Sequence, residues 1–152
     1  MKVAVAADHG GFILKELVIQ AVRDAGHEPM DLGTFNPQSV DYSDYAQKAG
    51  GAILSGEAQR AVLLCGSGVG VCIAANKMPG IYAAICHDTY SAHQGVEHDN
   101  MNALCIGARI IGPELAKELV KAFLSAQFSD EPRFHRRADK VKRMEKEFHS
   151  PM

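Results

Sequence analysis

The chain has 152 residues, 47% of them apolar, a size and composition that suit one globular domain over residues 1–152. Its 16 basic and 18 acidic side chains leave a formal net charge of −2, which gives no broad attraction for nucleic acid or an anionic membrane. No apolar run reaches the roughly 18 residues of a membrane span, and the sequence opens directly on a strand-like run. We therefore expect a cytoplasmic protein that binds neither nucleic acid nor membrane.

Short apolar runs alternate with helical patterns along the chain. Most of the runs are continuously apolar, as strands buried on both faces of a parallel sheet require, whereas residues 27–32 are polar enough for an edge strand. The predicted strands are 3–7, 27–32, 61–65, 81–86 and 103–108. This alternation predicts an α/β fold, a doubly wound, Rossmann-like parallel sheet with right-handed crossovers.

Two helical stripes are clear between and after these strands. The first helix ends at Gly26, and its predicted buried face steps by four through Ile13, Leu17, Ala21 and Ala25. The second opens at Gly112-Pro113, with proline in the tolerated first turn. Its predicted buried stripe comprises Leu115, Ala116, Leu119, Val120, Phe123 and Leu124.

The C-terminal tail, residues 129–152, carries seven of the 16 basic side chains. Its apolar residues fall at helical spacing: Ala138, Val141, Met144 and Phe148. One interpretation is a solvated helix. The other is a helix that packs on a partner subunit and carries Arg133, Arg136 or Arg137 into a site there.

Polar and glycine-rich segments follow the predicted strands, at the edge where open α/β sheets bind ligands. They are Asp8-His9-Gly10-Gly11, Cys65-Gly66-Ser67-Gly68-Val69-Gly70, His87-Asp88 and Arg109. Alternate glycines before a helix can turn backbone N–H groups toward a phosphate or a forming enediolate oxygen. The G-x-G-x-G spacing departs from the G-x-G-x-x-G of dinucleotide sites, so a nicotinamide cofactor is disfavoured.

Cys65 stands directly before the glycine loop, where amide groups and a helix N-terminus favour a reactive thiolate over an inert strand-end cysteine. No C-x-x-C pair occurs among the four cysteines, and we expect no disulfide. His9 and His98 lie in polar clusters suited to proton transfer. A metal site from His93, His98 and Asp99 has no recognised ligand spacing, and we expect no metal.

These motifs, taken together, closely resemble those of the ribose-5-phosphate isomerase B family, within the wider group of galactose- and allose-6-phosphate isomerases. The resemblance covers essentially the whole chain. It is carried by A-x-D-H-G-G, Asp41-Tyr42, Cys65–Gly70, Ala74–Lys77, His98, Gly107–Arg109 and the pair Arg133 and Arg137.

The resemblance implies aldose–ketose isomerisation of a sugar phosphate without cofactor or metal, in sites shared by the subunits of a homodimer or a dimer of dimers. It implies that Cys65 is the general base, that His98 assists ring opening and that Ser67 helps to stabilise the enediolate. The implied substrate-binding residues are Asp8, His9, Tyr42, Gly66, Gly68, Val69, Gly70, Asp99, Arg109, Arg133 and Arg137. Arg136 lies on another face of a predicted helix and is left out.

Two local departures from the family pattern bear on the substrate. Asp99-Asn100 follows the ring-opening histidine, where many relatives have Asn first, and Asp130-Glu131-Pro132 precedes Arg133. Ribose 5-phosphate is the expected substrate. The alternatives are a hexose-phosphate isomerase acting on allose or galactose 6-phosphate, and a non-catalytic phosphosugar-binding regulator.

Overall fold

The computed structural model describes residues 1–149 and contains a five-stranded, fully parallel sheet. The strand order is β2-β1-β3-β5-β4, so β2 and β4 form the edges. The strands are β1 (Lys2–Ala7), β2 (Glu28–Asp31), β3 (Arg60–Cys65), β4 (Ala83–Ile85) and β5 (Ala103–Gly107). The predicted α/β class and the edge position of the second strand are confirmed.

Six helices occur in the described part of the chain. They are α1 (Phe12–Asp24), α2 (Tyr42–Leu54), α3 (Val69–Ala75), α4 (Thr89–Asp99), α5 (Pro113–Ser125) and α6 (Pro132–Phe148). Helices α1, α4 and α5 cover one face of the sheet around a core that includes Phe123 and Leu104. Helices α2 and α3 cover the other face around a smaller, alanine-rich core. The doubly wound arrangement follows from helices on both faces.

Helix α1 buries the row next to the predicted one most deeply, while Leu17, Ala21 and Ala25 of the predicted row pack half-buried against the same core. Ile13 is 80% exposed, whereas Leu14, Val18 and Val22 are buried against the sheet. Two neighbouring rows at four-residue spacing are apolar in this helix, and spacing alone does not decide which row faces the sheet. Leu115 of the predicted buried stripe of α5 is 37% exposed, at the margin of that stripe.

The fourth strand is shorter than the run at 81–86 predicts. Regular pairing covers only Ala83–Ile85, and Ile81 is buried in the core without belonging to the strand. Cys86 follows the strand and is buried too. Only the ends of this run, Ile81 and Cys86, are fully buried. Its middle pairs with β5 as an edge strand in which Ile85 is 37% exposed, so the predicted burial of this strand on both faces is wrong.

The predicted tail helix forms as α6 and packs against α4 through Phe134 and Ala138. Glu145 fixes its C-terminal half, because its carboxylate accepts hydrogen bonds from the Gly80 N–H at 2.9 Å and the Tyr82 hydroxyl at 3.2 Å. The rest of the predicted stripe, Val141, Met144 and Phe148, is exposed. Residues 150–152 of the predicted tail lie outside the described residues. Within residues 1–149, no helix combines the length and apolar character needed to cross a membrane.

Candidate active site

The site forms where the carboxyl ends of β1 and β3 meet. These two strands are adjacent, but the chain passes from β1 to β2 on one side and reaches β3 on the other. Such a reversal of strand order opens a crevice between the strand ends, which is where open α/β sheets bind ligands. Asp8 directly follows β1 and Cys65 is the last residue of β3, so the crevice brings their side chains to one place.

Cys65 lies at the floor of this crevice and is 5% exposed. Its sulfur accepts a hydrogen bond from the backbone N–H of Gly68 at 3.0 Å. A donated amide proton gives negative charge on the sulfur a fixed partner inside the protein. The arrangement therefore suits a thiolate that exchanges protons with a bound molecule.

The glycine loop, residues 66–70, wraps around this sulfur and leads into α3. Gly68 has φ +86°, a left-handed conformation that favours glycine, and it lets the chain turn back over Cys65. The Ser67 hydroxyl accepts from the Val69 N–H at 3.2 Å and remains exposed beside the crevice. The loop is clamped to the segment after β5, because Ala108 N–H donates to the Cys65 carbonyl and Arg109 N–H donates to the Gly66 carbonyl.

Polar side chains from three other segments line the rest of the crevice. The Asp8 carboxylate is held by the N–H groups of Gly10 and Gly11 at 2.8 and 3.0 Å. The Arg109 side chain lies over Gly66, and the Tyr42 ring at the start of α2 packs on Gly70. The crevice has a volume of about 380 Å³ and is shared by Asp8, Tyr42, Cys65, Ser67, Gly70 and Arg109.

His9 lies beside this crevice and has a defined hydrogen-bond role. Its Nδ1 accepts from the Val40 N–H at 3.1 Å, so the proton of a neutral ring is on Nε2. The loop before α2 thereby holds the imidazole as a donor. The structure thus brings together ten of the predicted residues: Asp8, His9, Tyr42, Cys65, Gly66, Ser67, Gly68, Val69, Gly70 and Arg109.

The other four predicted residues form a separate group, which we call the α4–α6 cluster: His98, Asp99, Arg133 and Arg137. The His98 ring stacks on Phe134 with centroids 4.1 Å apart, and its Nδ1 lies 2.7 Å from Gln94 Nε2. The guanidinium carbons of Arg133 and Arg137 lie 4.7 and 5.7 Å from the centroid of the same Phe134 ring. These side chains therefore share one end of α6.

The α4–α6 cluster does not reach Cys65 within one chain. Helix α4 runs back from the carboxyl edge, and His98 lies in its last turn, shortly before β5 begins at the amino edge. Cys65 pairs in register with Gly107 at the far end of β5. Five strand residues separate the two edges by roughly 13 Å. The chain thus displays two halves of the predicted site on opposite edges of its sheet.

Several neighbours of the site are absent from the predicted site residues. Ile110 lines the crevice, and His87 accepts a hydrogen bond from the Gly107 N–H at 2.9 Å. Glu131, in the departure noted above, pairs with Arg133 at 2.9 Å on the exposed surface. His93 pairs with Glu97 at 3.0 Å, and within residues 1–149 no three His, Cys, Asp or Glu side chains are placed to share a metal ion.

The fold and the crevice define the class: a parallel α/β protein with a small-molecule site at the reversal of its strand order. The Ribose/Galactose Isomerase family matches residues 3–141. Ribose-5-phosphate isomerase B of Escherichia coli is 42% identical over 127 residues, 84% of this chain and 85% of that relative. D-erythrulose-4-phosphate isomerase of Pectobacterium atrosepticum is 42% identical over 84% of this chain and 85% of its own length.

Solved structures agree with the sequence comparison. The type B ribose 5-phosphate isomerase of Trypanosoma brucei superposes with a TM-score of 0.91 and 42% identity, covering 94% of this chain and 97% of that one. The chain belongs to the Ribose/Galactose Isomerase family. It is a sugar-phosphate isomerase of the type B group.

Proposed function

We propose that this enzyme interconverts ribose 5-phosphate and ribulose 5-phosphate, with Cys65 as the general base. The observation that carries the proposal is the Cys65 sulfur, seated in the crevice with the Gly68 amide directed at it. The relatives named ribose-5-phosphate isomerase B support the choice of a five-carbon substrate. Sugar phosphates and four free cysteines fit a reducing cytoplasm, where we place the protein.

The chemistry needs a base on one side of the substrate and anion stabilisation on the other. In the open aldose, the proton on C2 is weakly acidic because the C1 carbonyl can accept the electron pair. Cys65 takes that proton, the C2–H electrons form the C1–C2 double bond, and negative charge develops on the C1 oxygen. Amide groups of the glycine loop and the Ser67 hydroxyl stabilise this enediolate. The C2 hydroxyl proton passes to the C1 oxygen, and Cys65 returns its proton to C1, which gives the C2 ketone and restores the thiolate. Asp8 binds sugar hydroxyls.

Phosphate binding and ring opening require the other half of the site, which we assign to a second subunit. His98, Asp99, Arg133 and Arg137 lie at the opposite sheet edge from Cys65, so a neighbouring copy has to supply them. The exposed stripe Val141, Met144 and Phe148 of α6 offers an apolar surface for that copy. We therefore propose a homodimer, or a dimer of dimers, with His9 and Arg109 completing the phosphate end.

Subunit complementation tests this shared site. Cys65→Ala and His98→Gln each disable one half, so we expect both homodimers to be inactive. When the two are unfolded, mixed in equal amounts and refolded, half of the dimers are mixed, and one of their two sites has both halves intact. Activity should return to about a quarter of the wild-type value. A site formed within one subunit would give no recovery on mixing.

A substrate panel tests the reaction itself. We expect kcat/KM for ribose 5-phosphate to exceed the values for D-erythrulose 4-phosphate, allose 6-phosphate and galactose 6-phosphate. A higher value for a six-carbon phosphate would identify a hexose-phosphate isomerase on the same scaffold. Saturable binding of ribose 5-phosphate without any ketose formation would identify a regulator that has lost catalysis.

A further inference from the structure

Strand β4 ends before it can offer a backbone acceptor to the last N–H group of its neighbour β5. A histidine side chain supplies that acceptor instead. The last backbone hydrogen bond between these segments runs from Cys86 N–H to the Cys105 carbonyl at 3.3 Å. The next amide of β5 on that side belongs to Gly107, and it donates to His87 Nε2 at 2.9 Å. A side-chain acceptor thus replaces the backbone carbonyl that a longer β4 would supply.

The opposite side of Gly107 supports the glycine loop. A Cβ on Gly107 would lie 2.6 Å from the carbonyl carbon and oxygen of Ser67, so the two backbones are already in direct contact. A Cβ on Gly68 would lie 3.3 Å from the Gly107 nitrogen. The height of the loop above the sheet is therefore set by where Gly107 sits.

The loop in turn places the donor that faces the sulfur. Gly68 N–H points at Cys65 Sγ from 3.0 Å, and displacement of this donor weakens the hydrogen bond. His87, Gly107, Gly68 and Cys65 thus form one unbroken series of contacts from the edge of the sheet to the crevice. His87 is separated from the thiol by two residues, Gly107 and Gly68, and lies outside the residues that line the crevice.

We propose that His87 is a positioning residue for the isomerase reaction: by accepting from Gly107, it holds the glycine loop at the height where the Gly68 amide meets the Cys65 sulfur. This inference rests on the proposed role of Cys65. The ring acts as an acceptor through Nε2, so in the neutral form its proton is on Nδ1. A ring that carries both protons cannot accept from the Gly107 amide.

The proposal requires a hydrogen-bond acceptor at position 87, and substitutions can separate this requirement from the volume of the side chain. Gly107 is buried, so removing the acceptor leaves an unsatisfied backbone N–H that is relieved only by movement of the segment. His87→Leu keeps the volume and removes the acceptor. His87→Gln places a carbonyl oxygen near the position of Nε2. His87→Asn carries the same group on a chain too short to reach.

Steady-state kinetics with ribose 5-phosphate test the proposal. We expect kcat to fall about 10- to 100-fold in His87→Leu and His87→Asn, with KM within about twofold, because only the loop geometry has changed. His87→Gln should retain kcat within about threefold. His27→Leu, a histidine change at the amino edge of the sheet, is the matched control and should leave kcat unchanged. If the Leu variant does not fold, the Gln and Asn pair still decides.

Two further readouts follow the contact series directly. Hydrogen exchange of the Gly107 amide should accelerate in the Leu and Asn variants, whereas the Ala103 amide, bonded to the Tyr82 carbonyl at the other end of β5, should not change. Iodoacetamide labelling of Cys65, resolved by peptide mass spectrometry, should change in the same variants, with Cys72 as the internal reference thiol.

Equal kcat in the Leu, Asn and Gln variants, whether all normal or all reduced, would overturn the proposal. An unchanged labelling rate at Cys65 in a slow Leu variant would overturn it too. Failure of the underlying function is distinguishable, because Cys65→Ala would then keep full turnover. Turnover that depends on Cys65 but not on the His87 acceptor refutes only the positioning role.

Discussion

Gly107→Ala adds a single methyl group at a position where the neighbouring backbone leaves no room for it. Its added Cβ would lie 2.6 Å from the Ser67 carbonyl carbon and oxygen, both backbone atoms that no rotamer change can move. Ordinary carbon contacts begin near about 3.5 Å, so the loop and β5 must separate by about 0.9 Å. Overpacking of this kind costs about 1–3 kcal/mol of stability.

The same displacement acts on catalysis, because Gly68 follows Ser67 and moves with it. Withdrawing the Gly68 amide by this amount lengthens its 3.0 Å contact with the Cys65 sulfur to about 3.9 Å, which weakens this hydrogen bond. A misplacement of about 1 Å can lower a rate by about 100-fold, which is the fall in kcat that we expect. KM should change less, since two of the arginines that we assign to the phosphate, Arg133 and Arg137, lie on α6.

The assays are thermal unfolding and steady-state isomerisation of ribose 5-phosphate. Gly51→Ala is the matched control, because no atom lies within 4 Å of its added Cβ and its position is helical. That variant should keep full activity and gain about 0.5–1 kcal/mol of stability. A folded Gly107→Ala enzyme with kcat within threefold of wild type would refute the packing argument.

Three further predictions concern α6 and the Cys72 thiol on α3. Arg137→Ala should raise KM for ribose 5-phosphate about 10- to 100-fold, whereas Arg136→Ala, on another face of α6, should not; equal effects would contradict the assignment. Met144→Glu should place a charge in the proposed subunit contact and lower the mass measured by sedimentation, together with activity; an unchanged mass would place the contact elsewhere. Hydrogen bonding to Cys105 lowers the pKa of Cys72 to about 7. The rate of Cys72 alkylation should therefore be half-maximal near pH 7 and slow below it. A midpoint near pH 9 would contradict this contact.

Much of the fold was readable from the sequence because burial on both faces leaves a strong pattern. Three continuous apolar runs form the central strands β1, β3 and β5, which end at Ala7, Cys65 and Gly107. The polar run near residue 30 forms an edge strand. The position of the glycine loop in the sequence also predicts a ligand site. It follows a buried strand, and the carboxyl ends of parallel strands share one edge.

The remaining features depend on contacts between distant segments. His87 accepts from Gly107, twenty positions along the chain, and no local pattern distinguishes such a histidine from a solvated one. Ile13 and Leu14 are both apolar, and only the packing of α1 on the sheet decides which is buried. The separation of His98 from Cys65 follows from the direction of α4 relative to the strands.

The central claim is that the Cys65 sulfur moves the proton between C2 and C1. Its most direct test is kcat for ribose 5-phosphate in Cys65→Ala, with Cys72→Ala as the matched control thiol. We predict a loss of about 10²- to 10⁴-fold in the first variant, the usual contribution of a positioned base, and near wild-type turnover in the second. Comparable turnover in the two variants would contradict the account.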